Sequence, residues 1–174
     1  MIVFITNILK SNFYIFGNKI NDIILFNYLK DNEKLRYGRN YSISTGAWPV
    51  FCEETHIFHA FCYEFVETLA DEINGLNVSG KIVEVCAGNG KLSYWLRQFN
   101  VPAVATDNYS VKEIERDPVY VEKLSYRQAL RKYKPEFVIG CWLHGGGIEL
   151  DVLDSPYVRY YLNIGEGLDG CTGS

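Results

Sequence analysis

The chain lacks two features that would narrow its class at once: an excess of positive charge and closely spaced cysteine pairs. It carries 17 Lys and Arg against 21 Asp and Glu, a net charge of −4. No overall positive field therefore attracts a nucleic-acid backbone, and nucleic acid is a disfavoured partner. The 5 cysteines form no C-x-x-C pair, which indicates reduced thiols of an intracellular protein rather than a disulfide framework.

The first residues also lack a targeting signal and a membrane-spanning run. Residues 1–17 have no basic leader, and their apolar patches are interrupted by Lys10, Ser11 and Asn12, so neither a signal peptide nor a span is expected. We predict a cytoplasmic protein with no membrane partner. A chain of 174 residues that is 48% hydrophobic suits a single globular domain. We expect residues 1–50 to form an N-terminal extension and residues 51–174 a cofactor-binding domain.

The most informative pattern that is present lies in residues 81–91. Residues 82–85 are typical of a strand buried on both faces, Gly88 and Gly90 permit a tight turn, and a helix is expected from Leu92. A second apolar run about twenty residues on ends in Asp107, a spacing at which an acidic side chain accepts hydrogen bonds from a ribose. This pattern predicts a small-molecule cofactor site.

Two segments resemble the first two motifs of class I S-adenosylmethionine-dependent methyltransferases: residues 84–90, EVCAGNG, and residues 104–107, VATD. The resemblance implies that Glu84 helps to hold the methionine end of the cofactor and that Asp107 binds the ribose hydroxyls. Cys86 stands where the family has its first glycine, and its thiol narrows the turn. The cofactor contacts that the resemblance implies are Glu84, Cys86, Ala87, Gly88, Asn89, Gly90, Asp107, Asn108, Ser125, Tyr126, Cys141 and Trp142.

The rest of the chain alternates between strand and helix patterns. Strands are predicted at residues 82–85, 101–106, 119–124, 137–142 and 160–164. Strands separated by helices form a parallel sheet through right-handed crossovers. We therefore predict an α/β fold, a doubly wound, mostly parallel Rossmann-like sheet of these five strands with helices on both faces. A helical segment precedes it, including a helix that ends at Asn74 and Gly75.

Later residues offer candidate roles with open alternatives. Ser125 would contact the adenine or cap the following helix, and Trp142 would stack on a ligand or close the core. His144 is the candidate general base for the methyl acceptor, or a loop histidine without that duty. Residues 135–144, PEFVIGCWLH, resemble the fourth motif but lack the Asn/Asp-Pro-Pro-aromatic sequence of amino methyltransferases, so methylation of a base amine is not indicated.

Three functions remain open. The first is a methyltransferase that uses S-adenosyl-L-methionine on a small molecule or a protein side chain. The second is a non-catalytic binding or interaction module, favoured by Cys86 and by the lack of the family's last two strands. The third is an NAD-dependent oxidoreductase, because residues 88–93 approach the G-x-G-x-x-G/A fingerprint. The carboxylate of Glu84 disfavours it, since a pyrophosphate at a helix N-terminus would be repelled.

Two further expectations concern a metal and a partner chain. His56 and His59, with Glu53 nearby, have helical spacing, but no third ligand is visible, so no metal site is predicted. A sheet without the last two strands has an open edge that needs cover. Residues 1–40 or a second copy of the chain, in a homo-oligomer, would supply it.

Overall fold

The computed structural model describes residues 3–4, 63–112, 114, 116, 119–143 and 147–165. Apart from Tyr63, these residues belong to one compact unit, formed by residues 1–10 and 64–174. Several predictions lie outside the described residues. These are the domain boundary near residue 50, the helical segment before residue 63, the pair His56 and His59, and His144.

A parallel sheet forms the centre of this unit. Its strands are β1 (Val3–Phe4), β2 (Ile82–Val85), β3 (Ala103–Asp107), β4 (Val121–Lys123), β5 (Phe137–Cys141) and β6 (Tyr160–Ile164). The order across the sheet is β1-β6-β5-β2-β3-β4, and all neighbouring strands are parallel. The five parallel strands from β2 to β6, with helices after β2, β4 and β5, confirm the predicted α/β, Rossmann-like class.

The short strand β1 was not predicted. It pairs with β6, with Val3 beside Tyr160 and Phe4 beside Tyr161. The edge of β6 is therefore paired, over these two positions, by a segment from residues 1–40. A partner chain at this edge stays a prediction.

Helices cover both faces of the sheet. The described helices are α1 (Tyr63–Gly75), α2 (Lys91–Gln98), α3 (Tyr126–Tyr133) and α4 (Ile148–Leu153). On one face Val83 and Val85 pack with α3 and α4 in a hydrophobic cluster. Each fully buried side chain of this cluster contributes about 1.5–3 kcal/mol to the stability of the fold. This cluster is Val83, Val85, Ala129, Leu130, Val138, Leu143, Val152, Val158 and Tyr161. On the other face Glu84 bonds to Ser93 of α2.

Differences from the predicted elements are confined to short segments. Val119 and Tyr120, predicted to begin a strand, form a turn in which Val119 is 81% exposed. Helix α4 was not predicted because six residues are too few to show helical periodicity. Among the described residues, no helix is both long enough and apolar enough to span a bilayer.

Candidate functional site

The glycine turn lies where the strand order reverses. Strand β2 pairs with β3 on one side and β5 on the other, and ligands of open α/β sheets bind at the carboxyl ends of strands at such a point. The turn is tied to β3 because Ala87 N donates to Thr106 O at 2.9 Å, and it closes on itself because Gly90 N donates to Ala87 O at 2.9 Å. The sequence therefore predicted the correct position and shape of this turn.

The two glycines of the turn meet different demands. Gly90 has φ 71°, and a Cβ there would overlap Val121 Cγ2 and lie 3.3 Å from Ala105 Cβ. Only glycine lets the start of α2 approach β3 and β4 this closely. Gly88 has φ 55°, but the nearest atom to an added Cβ would be Ile114 Cδ1 at 3.9 Å. Gly88 is thus required by its backbone conformation rather than by space.

Cys86 begins the turn in a left-handed conformation, with φ 53°. This conformation is uncommon for a residue with a side chain. Cys86 packs against the core cluster that includes Ala129 and Leu130 of α3. Burial, and then the nearby carboxylates of Asp107 and Glu84, raise its pKa to about 11. The thiol is therefore neutral at physiological pH and is not an activated nucleophile.

Glu84 has a structural contact that the sequence did not indicate. It is 2% exposed, and its Oε2 accepts hydrogen bonds from Ser93 N at 3.0 Å and Ser93 Oγ at 2.6 Å. Ser93 is the third residue of α2, so this carboxyl caps the helix from the neighbouring strand. Burial raises the pKa of Glu84 to about 7, against the lowering effect of the Ser93 hydrogen bonds. Its contact with a cofactor ammonium stays a prediction.

Asp107 lies directly against the glycine turn. Its Oδ2 accepts from Gly88 N at 3.0 Å, and its Oδ1 accepts from Tyr109 N at 2.7 Å. The residue is 6% exposed. The structure thus brings together the turn after β2 and the acid that ends β3, as the motif pair predicted, although the ribose contact itself is untested.

Arg116 is the site residue that sequence reasoning missed. Its Nε lies 3.0 Å from Asp107 Oδ1, and the two side chains are 4% and 8% exposed. Its Nη1 donates to Val111 O at 2.6 Å and to Ile114 O at 2.7 Å, and its guanidinium lies 4.9 Å from the Tyr109 ring centre. One arginine in a polar connection gives no periodic signal, so only the folded chain reveals this ion pair.

Other predicted contact residues have local structural partners. Asn89 Oδ1 accepts from Lys91 N at 3.2 Å, and Asn108 Oδ1 accepts from Ser110 N at 2.9 Å. Both hydrogen bonds are of the Asx-turn kind. Ser125 caps α3 in a capping box with Gln128, which confirms the capping alternative. Its contact with an adenine stays a prediction.

Tyr126 faces α4 rather than a free surface. Its hydroxyl donates to Asp151 Oδ2 at 2.6 Å, and the same oxygen accepts from Arg127 Nη2 at 2.7 Å. The hydrogen bond to Asp151 is the largest effect raising the pKa of Tyr126. The predicted cofactor contact of Tyr126 would therefore use its ring, or its hydroxyl oxygen as an acceptor.

The end of β5 provides the second half of this sheet edge. Burial, with a smaller effect of Glu84, raises the pKa of the Cys141 thiol well above its usual range. Trp142 has φ 54°, and its backbone N donates to Ile164 O at 2.7 Å. The chain therefore turns sharply after β5 while remaining tied to β6. His144 lies just beyond, outside the described residues.

Two polar atoms on β6 are buried without hydrogen bonds within the part of the chain that the structure describes. They are Tyr161 Oη and Asn163 Oδ1. Both side chains lie on the α3 and α4 face, because residues two apart in a strand point the same way. The Tyr161 hydroxyl lies near Gly140, where an added Cβ would be 2.8 Å away. No pattern in the sequence indicates that either atom is buried without a partner.

Comparisons with protein-family models, with curated proteins and with solved structures find no match for this chain. A candidate function therefore depends on the motif pair and on the geometry of the turn.

Proposed function

We propose that this chain binds S-adenosyl-L-methionine at the turn after β2 and acts as a methyltransferase on a small molecule or a protein side chain. The observation that supports it is the hydrogen bond from Gly88 N to Asp107 Oδ2, 3.0 Å long. It joins the glycine turn and the acid of the second motif at one point of the sheet edge. Methyl transfer in such a site requires alignment of donor and acceptor and exclusion of water.

The side chains present fit an adenosyl ligand under one condition. Gly88 and Gly90 add no side chains to the turn, and Asp107 is an acceptor suited to ribose hydroxyls. Arg116 Nε, however, lies 3.0 Å from Asp107 Oδ1. For a ribose diol to reach this carboxylate, Arg116 must move away from Oδ1.

A second candidate is a non-catalytic module with the same ancestry. The observation that favours it is that both acidic residues of the motif pair already have partners within the chain. Glu84 is bound to Ser93, and Asp107 to Arg116 and two backbone N–H groups. A chain that has lost its ligand would be expected to fill the site in this way.

The charge of Glu84 counts less strongly against the oxidoreductase alternative than the sequence alone indicated. Because the pKa of Glu84 is about 7, its carboxyl carries only part of a negative charge near neutral pH. Its repulsion of a pyrophosphate is correspondingly smaller. NAD therefore belongs in the same binding experiment.

Calorimetric titration of the folded chain with S-adenosylmethionine, S-adenosylhomocysteine and NAD tests these candidates. We expect both sulfur ligands to bind and Asp107→Asn to weaken them at least about tenfold, or 1.4 kcal/mol. Asp71→Asn, an exposed acid on α1, is the matched control and should bind as the parent does. Failure of folded protein to bind either sulfur ligand would reject the proposal, and tight NAD binding would establish the oxidoreductase alternative.

A second assay separates the enzyme from the module. S-adenosylmethionine with a radiolabelled methyl group is incubated with the chain and with cell extract divided into small-molecule and protein fractions. Label that appears in one fraction, and that Asp107→Asn abolishes, supports methyl transfer. Intact ligand binding without transfer to either fraction would favour the non-catalytic module.

A further inference from the structure

The contact between Arg116 and Asp107 is unusual for a structural ion pair. The two side chains are almost fully buried, at 4% and 8% exposure. A buried pair stabilises a protein only when its hydrogen bonds are well formed. Here Arg116 Nε lies 3.0 Å from Oδ1 but makes no hydrogen bond with adequate geometry within the described residues. The arginine is close to the acid without being optimally bound to it.

The remaining contacts of Arg116 hold it to the connection after β3 rather than to the turn. Nη1 donates to Val111 O at 2.6 Å and to Ile114 O at 2.7 Å, both in the segment that leads to Arg116. The guanidinium also lies over the Tyr109 ring at 4.9 Å. Among the described residues, the hydrogen bonds of Arg116 are therefore made to these two carbonyl groups and not to Asp107.

Asp107, for its part, does not depend on the arginine for all its hydrogen bonds. Gly88 N and Tyr109 N donate to its two oxygens at 3.0 and 2.7 Å. A carboxylate has about four acceptor positions, so two remain for other donors. The guanidinium is near one oxygen, and two hydroxyl groups of a ribose would use the same positions.

We infer that Arg116 is an internal competitor for the ribose position, an autoinhibitory contact that must be displaced before an adenosine-type ligand binds Asp107. This inference rests on the proposed function. The apparent affinity of such a site equals the intrinsic affinity multiplied by the fraction of molecules in which the arginine has moved away. Removing the guanidinium should therefore strengthen binding, although it removes a positive charge from the site.

The test compares Arg116→Gln with the parent in calorimetric titrations with adenosine, 2′,3′-dideoxyadenosine and S-adenosylhomocysteine. We expect about tenfold tighter binding of the two ligands that carry a ribose diol. This corresponds to a parent protein in which Arg116 has moved away from Asp107 in about a tenth of the molecules. Binding of the dideoxy compound should change less than about twofold, since it offers Asp107 no hydroxyl to exchange for the arginine. Arg159→Gln removes an arginine that is 67% exposed and paired with Glu136, and it should leave all affinities unchanged.

The outcomes separate this inference from the proposed function. If the parent binds S-adenosylhomocysteine and Arg116→Gln binds it equally or more weakly, the inference that Arg116 competes with the ribose is rejected. The proposed function then still stands. An equal gain for the dideoxy compound would also reject it, because the effect would then be general opening of the site. If neither folded protein binds any of the ligands, both proposals fail. If Arg116→Gln does not fold, Arg116→Lys is compared with the parent instead. The gain in affinity is then expected to be smaller, because lysine keeps the positive charge but lacks the planar guanidinium.

Discussion

The two halves of the sheet edge that carries the candidate site differ in how their polar groups are satisfied. Where β2 and β3 end, Glu84 is bound to Ser93, and Asp107 is bound to Gly88 and Tyr109. In the half formed by β5 and β6, Tyr161 Oη, near Gly140 of β5, and Asn163 Oδ1 are buried without hydrogen bonds in the described part of the chain. In the first half the two carboxylates are hydrogen-bonded and only Arg116 Nε, beside Asp107, lacks a hydrogen bond among the described residues. In the second half a tyrosine hydroxyl and an amide oxygen of the strand itself lack one.

This difference shows that the motif residues have structural duties as well as any binding role. Buried polar groups are normally hydrogen-bonded, and each exception calls for an explanation. In the β2 and β3 half, a ligand must compete with contacts that already stabilise the fold. In the β6 half, a hydrogen-bonding group that reached Tyr161 would compete with no hydrogen bond made by the described residues. Removal of a tyrosine hydroxyl should therefore lower stability in the β2 and β3 half, and leave it unchanged or raise it in the β6 half.

The largest effect is expected at the glycine that joins the turn to its helix. Gly90→Ala forces a side chain into a left-handed conformation and against Val121 and Ala105. Left-handed strain of about 1–2 kcal/mol and overpacking of about 1–3 kcal/mol together predict a loss of roughly 3 kcal/mol in the free energy of unfolding. Urea denaturation measures this loss.

Gly88→Ala is the matched control for that substitution. It has a similar φ, but among the described residues no atom lies closer to the added Cβ than Ile114 Cδ1, at 3.9 Å. Only the conformational cost of about 1–2 kcal/mol is expected. Equal losses at the two glycines would show that the close approach of α2 to β3 and β4 is not what requires Gly90.

Much of this fold could be predicted from sequence, because the signal is strongest where burial is deepest. Strands β2 and β6 have the predicted bounds, since their apolar runs are flanked by turn residues. Segments without periodicity were missed: β1 has two residues and α4 six. Their positions depend on contacts with distant parts of the chain, which no local pattern encodes.

The candidate site was predictable in its backbone but not in its side-chain partners. The glycines and Asp107 lie together because turn chemistry and strand length fix their positions. The direction of Glu84 toward Ser93 depends on which face of β2 meets α2. The contact of Arg116 depends on how the connection after β3 folds. Neither of these partners follows from spacing along the chain.

The next largest effect concerns the pH dependence of stability through Glu84. Its pKa is about 7 in the folded chain against 4.5 for the free side chain. The folded state then binds the proton more tightly, so the contribution of this group is fully present below about pH 4.5 and is lost as pH rises through 7. The change amounts to about 3 kcal/mol. Glu84→Gln should therefore gain stability relative to the parent between pH 5 and pH 8.

Urea denaturation of both proteins at the two pH values measures this difference. The lowered pKa values of Glu122, Glu136 and Asp151 contribute equally to both proteins and cancel in the comparison. A stability difference that does not change with pH would show that Glu84 is not the buried titrating group. The half of the edge formed by β2 and β3 would then make no pH-dependent contribution to the free energy of unfolding through Glu84.

A smaller loss is expected at Tyr109, in the β2 and β3 half of the edge. Its hydroxyl donates to Val121 O at 2.7 Å. Tyr109→Phe removes this hydrogen bond but keeps the ring under Arg116, so a loss of about 1 kcal/mol is expected. Thermal and urea unfolding measure it. An unchanged stability would indicate that water replaces the hydroxyl at the Val121 carbonyl.

The smallest change, and the one that contrasts the two halves most directly, is expected for Tyr161→Phe. The tyrosine is 2% exposed, and its hydroxyl has no hydrogen bond within the described residues. Because burial, and then the charges of Glu149 and Cys86, raise its pKa, the hydroxyl stays neutral and its removal discards only an unsatisfied polar atom. Such a replacement is close to neutral or stabilising, so we expect a change between zero and a gain of about 1 kcal/mol in urea denaturation. A loss comparable to that of Tyr109→Phe would mean that the Tyr161 hydroxyl has a partner, and the contrast between the two halves would then be wrong.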